Sequence, residues 1–142
     1  MSIMLKRRIY LWIQLCVAVV IVACSTITPF DQKAYDQSTA IKLEALSLMD
    51  KATDLYTSHI EDVTALRNNL SKAYEAAKLR SKNELSIKQW EIITDPKRNS
   101  IEGFLQFWEK KDKLSQEFIN EAKIRISEHF DSVIQLEAAK NK

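Results

Sequence analysis

Apolar and small residues recur at spacings of three and four through the middle of this chain. They run Ala34, Ile41, Ala45, Leu48, Ala52, Leu55 or Tyr56, His59 or Ile60, Val63, Leu66, Leu70, Ala73 and Ala77. That period places them on one helical stripe. Thr28 before Pro29, with Asp31 at the third helical position, is a helix start signal. Lys78, Arg80 and Lys82 put cations at the other end, where the helix dipole favours them. The pattern predicts one long, bent helix from Asp31 to Arg80, on the order of 75 Å if unbroken. Ser58 with Glu61 offers the competing reading, a capping box that opens a second helix midway.

Downstream, Ser81 and Glu84 form a second capping box, opening a shorter helix through Trp90, Ile92 and Ile93. Asp95-Pro96 stops it, because the residue before a proline avoids the α region. Pro96 to Ser100 reads as a polar turn, and Ile101 to Lys111 as a short helix rich in aromatics. Ser115 caps a final helix striped by Phe118, Ala122, Ile126, Phe130 or His129, Val133 and Leu136 or Glu137. Its tail, Ala138 to Lys142, is expected to fray. One glycine, Gly103, and two prolines are too few turn residues for a many-stranded sheet. The expected fold is therefore all-α: a long helical hairpin, or a small helical bundle, with two short helices between the long ones. The first helix would pair antiparallel with the last, and the short helices would cap the far end.

The first 24 residues follow a different rule. Lys6, Arg7 and Arg8 precede an apolar stretch, Ile9 to Ala23, that only Gln14 interrupts. A basic head, a short apolar run and a small residue before the cut make the secretory pattern. Its 15 residues fall short of the roughly 20 that a membrane-spanning helix needs. The stretch closes on Ile21-Val22-Ala23-Cys24, which resembles the lipobox of bacterial lipoproteins. That resemblance implies cleavage by signal peptidase II before Cys24, a diacylglycerol on its sulfur and a third acyl chain on its amine. Ser25 in place of Asp implies sorting to the outer membrane, facing the periplasm. Residues 1–23 would then be the signal peptide, 24–28 the lipidated tether and 29–142 the helical domain.

This division changes the charge and cysteine readings. The whole chain holds 21 Lys and Arg against 19 Asp and Glu, but three of the cations lie in the signal. The remainder, 18 against 19, is about neutral, so a basic nucleic-acid-binding face is not expected. Cys16 falls in the signal and Cys24 is the acylation site, which leaves no thiol for disulfides, zinc clusters or thiol catalysis. A single glycine forbids phosphate-cradling and dinucleotide fingerprints, and Gly-x-Ser-x-Gly is absent.

Few side chains then remain as candidates. His59 and His129 lack a Glu three residues before them, so packed histidines are expected rather than metal ligands. Phe104, Phe107 and Trp108, with Trp90, read either as a core plug at the end of the hairpin or as partner-binding anchors. Lys110, Lys111 and Lys113 read as a solvated helix end, with anionic lipid or a phosphate-bearing polymer as the alternative. The body also resembles small helical lipoproteins of Gram-negative envelopes, through residues 27–31, 83–93 and 104–108, a resemblance that implies no activity. The expectation is a membrane-anchored, non-catalytic lipoprotein without metal or cofactor, binding an envelope protein or itself. A small-ligand or lipid carrier and an inhibitor or immunity protein are the alternatives.

Overall fold

The structure is a computed structural model that describes residues 27–142. Lys6, Arg7, Arg8, Ile21, Val22, Ala23, Cys24 and Ser25, the residues of the signal and lipidation readings, lie outside the described residues. Among the described residues there are five α-helices and no strand, so the chain is an all-α small helical bundle. The helices are α1 (Gln32–Asp50), α2 (Ile60–Lys78), α3 (Glu84–Thr94), α4 (Ile101–Lys111) and α5 (Gln116–Ala139).

The long first helix is two helices. Two short 3-10 turns, Lys51–Thr53 and Tyr56–His59, separate α1 from α2. Asp54 and Leu55 adopt extended backbone between them. The chain reverses here, and α2 packs back along α1. Ion and amide pairs record the antiparallel register: Asn69 donates to Glu44 at 2.9 Å and Lys51 to Asp62 at 3.0 Å. Most of the stripe is placed as its spacing demands, with Ile41, Ala45, Leu48, Ala52, Tyr56, Val63, Leu66, Leu70, Ala73 and Ala77 buried, whereas Ala34 and His59 are half-buried and Ile60 is exposed. No glycine or proline marks the break. What holds it is tertiary: the Tyr56 amide donates to Asp112 O at 2.9 Å, and Ala52 O accepts from the Leu114 amide at 2.8 Å. Backbone groups that leave the helix must find such partners. Ser58 does not cap α2, whose N-cap is His59 without a side-chain hydrogen bond.

Four helices form the bundle, α1 against α2 and α5, and α3 against α2 and α5. The pairing of α1 with α5 is antiparallel, as Lys42–Asp131 and Lys123–Asp50 show, both at 2.6 Å. Only one of the two short helices caps the far end. α4 closes over the 51–59 reversal, while α3 lies along the bundle as its fourth member, its Trp90 ring edge-on to Phe130 of α5. α3 takes this place because Ser86, Trp90 and Ile93 give it a buried face of its own.

Other boundaries differ from the sequence pattern for identifiable reasons. α1 is capped by Asp31, which accepts from the Lys33 amide at 2.9 Å, and Thr28 is held outside the helix by a 3.2 Å bond from its amide to Lys82 O. α3 is preceded by Asn83 rather than capped by Ser81, and the Asn83 side chain turns back to donate to Ala77 O instead of capping the helix. Ser115 does cap α5, accepting from the Phe118 amide at 3.3 Å. Lys82 and Asp112 carry positive φ at two reversals where glycine would be unstrained. The α5 terminus is tied down rather than frayed, since Lys140 is bonded to Asn83, Ser86 and Glu137.

Gly103 stands in the first turn of α4 because the preceding turn passes very close. A Cβ there would run into the Arg98 carbonyl oxygen and lie 3.3 Å from Pro96 O. Alanine would gain roughly 1 kcal/mol in helix propensity. Overpacking against backbone costs about 1–3 kcal/mol. Gly103→Ala is therefore expected to be net destabilising in urea unfolding, and a more stable variant would show that the 96–100 turn can move aside.

Candidate functional site

The two ends of the bundle carry different chemistry. One end, called the base here, gathers residues 27–31, 79–86 and 136–142; the other gathers the 51–59 reversal, α4 and the start of α5.

At the base, the α5 stripe ends on a carboxylate. Glu137 is only 2 % exposed and faces three donors. Its Oε1 accepts from Ser86 Oγ at 2.7 Å and Lys140 Nζ at 2.5 Å, and its Oε2 accepts from Arg80 Nη1 at 2.8 Å. Arg80 also donates to Pro29 O at 2.5 Å, so the same cluster fastens the incoming chain. Burial pushes the Glu137 carboxyl up, but hydrogen bonds from Lys140, Arg80 and Ser86 outweigh it and hold the group ionised below its ordinary range. Both carboxylate oxygens and the Lys140 ammonium are hydrogen-bonded within the cluster, which marks it as a structural clamp.

The opposite end presents a groove. α4 contributes Gly103, Phe104 and Phe107, α5 contributes Phe118, Ala122, Arg125 and Ile126, and the 96–100 turn closes one side. The hollow is about 290 Å³. Phe107 and Phe118 meet at 5.0 Å between ring centroids, and Phe104 stacks on Phe118 at 6.1 Å. Phe107 remains 37 % exposed and Phe118 36 %. Lys97, Arg98 and Arg125 are in the lining; Asp95, just outside it, stands 3.6 Å from Arg98 Nε, and Arg125 Nε donates to Asn99 O at 3.3 Å. Lys111 Nζ stands 5.8 Å from the Phe107 ring, a cation–π contact on the rim.

The aromatic set read from the sequence is thus divided. Trp90 and Trp108 are core residues, and Phe104 is buried as the floor of the groove. Phe107 alone of the four reaches the surface. Trp108 seals the reversal, its Nε1 donating to Asp54 O at 3.2 Å and its ring meeting Tyr56 edge-on at 5.5 Å. The sequence stripe placed Phe118 in the core, but Ile119 takes that position and turns Phe118 toward Phe107. Phe118, Arg98 and Arg125 were missed as groove residues, since only the packing of α4 on α5 brings them together.

The histidines are packed. His59 Nε2 lies 3.1 Å from Asp54 and its ring rests against Trp108, while His129 Nδ1 is 2.9 Å from Ser100 Oγ. Burial, helped by Arg125, lowers the His129 pKa, so the ring stays neutral at pH 7. Among the described residues, no group of three or more metal-ligating side chains is placed to hold an ion, and no helix is long and apolar enough to cross a membrane.

Searches against protein-family models, curated proteins and solved structures found no match for this chain.

Proposed function

We propose that this protein is an exported lipoprotein, held at a membrane by acyl chains on Cys24, whose bundle binds another envelope protein at its distal groove. The lipobox pattern Ile21-Val22-Ala23-Cys24 supports the anchor. The groove is the observation that carries the binding role: exposed Phe107 and Phe118 lie on an aromatic floor rimmed by Lys97, Arg98 and Arg125. Aromatic anchors with arginine beside them dominate interface energetics. Such a rim selects an acidic segment that inserts an apolar side chain. The groove lies at the end of the bundle away from Ile27, and α1 alone separates the ends by about 28 Å. No catalytic step is assigned to it.

The test places a photo-cross-linking residue at Phe107, and separately at exposed Leu43 on α1, in the full lipidated protein in cells. The expected result is one dominant envelope protein captured from position 107 and not from 43. Lys97→Glu with Arg98→Glu should reduce that capture several-fold without changing the melting curve. Equal capture from both positions, or capture indifferent to the charge reversal, would overturn the reading; links only to a second copy of the chain would replace the partner by self-association.

A further inference from the structure

We infer that the base of the bundle is a phospholipid contact surface, with Ile27, Leu79 and Leu85 resting in the interfacial layer of the membrane that holds Cys24. The inference rests on the lipid-anchor reading and adds to it the orientation of the domain.

The argument begins with the tether. Sequence alone leaves Ser25 to Thr28 free as a spacer. In the structure Thr28 is buried and its amide is bonded to Lys82 O, and Pro29 O is held by Arg80. Slack therefore ends at Ile27, three residues after Cys24, a span of at most about 11 Å. The polar layer on each side of a bilayer is roughly 5–8 Å deep. That reach exceeds the layer by only a few ångströms, so the base stays within it or against its outer surface.

What the base presents is suited to the place. Leu79 is 88 % exposed, Leu85 65 % and Ile27 64 %. They rank among the most exposed large apolar side chains of the described residues, and all three sit around the point where the chain enters. Ile27 and Leu85 line one small hollow of about 150 Å³ with Leu136, and Lys82 and Glu84 also line it. Apolar tips of this size match an interface whose depth is hydrocarbon. Polar contacts among Arg80, Ser86, Asn83, Glu137 and Lys140 lie just behind this rim and fix it rigidly to the bundle. Both the tether length and the exposed side chains therefore point to one occupant, the lipid surface itself.

The experiment reads depth. The full chain carrying Cys16→Ser is expressed in bacteria, purified and reconstituted into phosphatidylethanolamine–phosphatidylglycerol vesicles that contain nitroxide-labelled lipid. Single cysteines replace Leu79, Leu85, Leu43 or Ile124 and carry a fluorophore; any dye on Cys24 would be common to all four and cancels in the comparison. Labels at 79 and 85 should be quenched several-fold more than those at 43 and 124, which are as exposed as Leu85 but lie along the sides of the bundle. No difference between the two pairs overturns the inference. Mass analysis of the N-terminal peptide separates it from the reading beneath it. Acylated Cys24 with unquenched base labels sinks the contact surface and keeps the anchor, whereas unmodified Cys24 with quenched labels does the reverse.

Discussion

Glu137→Ala should lower the unfolding free energy by about 3–5 kcal/mol, the cost of removing one partner from a buried charge cluster. The carboxylate is 2 % exposed, and Lys140, 5 % exposed at its side chain, would be left with only Asn83 and Ser86 as neighbours. Arg80 is less affected because water reaches it. The loss is a large part of the roughly 5–15 kcal/mol that a domain of this kind possesses. Urea unfolding followed by far-ultraviolet circular dichroism measures it. Replacing both Glu137 and Lys140 by methionine should cost less than Glu137→Ala alone, since no unpaired ammonium then remains. A loss below about 1 kcal/mol for Glu137→Ala would show that the base opens to water easily, at odds with a rigid rim.

The pH dependence follows from the same group. The folded carboxyl titrates below its ordinary 4.5. Its contribution is thus present above that value and is lost as pH falls through the lower, folded one. His129 acts at milder acidity. Its folded pKa lies below the ordinary 6.5, so protonation below 6.5 favours the unfolded chain. Wild-type stability should therefore decline in two stages on acidification. Glu137→Ala should shrink the lower stage, to which Asp62 beside Lys51 also contributes, and His129→Gln should remove the upper.

Trp108→Ala is the second substitution expected to cost about 3–5 kcal/mol, the usual range for deleting a buried tryptophan. Its ring is fully buried between Tyr56 and His59, and its Nε1 bond to Asp54 O is one of the contacts that hold the 51–59 reversal to α4. Amide hydrogen exchange should accordingly quicken first at residues 51–59. Trp108→Phe keeps most of the apolar contact and loses chiefly the hydrogen bond, a cost of about 1–2 kcal/mol. If Trp108→Ala unfolds near the wild-type urea midpoint, α4 is an appendage and the distal groove lacks a fixed floor.

Both substitutions act where the sequence was hardest to read. Spacing located most of the buried stripe from Ile41 to Ala77 because those side chains face the core whether the helix is one or two, although Ile60 on the same stripe is 48 % exposed. It missed the reversal because residues 51–59 contain neither glycine nor proline; bonds to Asp112 and Leu114, more than fifty residues away, stabilise the break. Capping chemistry located the start of α5 at Ser115, where side chain and amide are neighbours in the chain. It failed at Thr28, whose amide is claimed by Lys82 O across the base, and at Ser81, since the helix begins only after Asn83. Glu137 was legible only as an alternative to Leu136 on the α5 stripe. A buried carboxylate becomes tolerable once Arg80, Ser86 and Lys140 converge on it.

The division between the two sources is physical. Helix content, the buried stripes, the Asp95-Pro96 stop and the lipobox pattern arise from residues close together in the chain, so sequence determined or proposed them directly. The α1–α2 hairpin, α3 as a fourth bundle helix, the aromatic-basic groove and the clamp that shortens the tether each need groups brought together from distant segments. Only tertiary packing places those groups within hydrogen-bond or van der Waals reach, and so only the tertiary structure decided them.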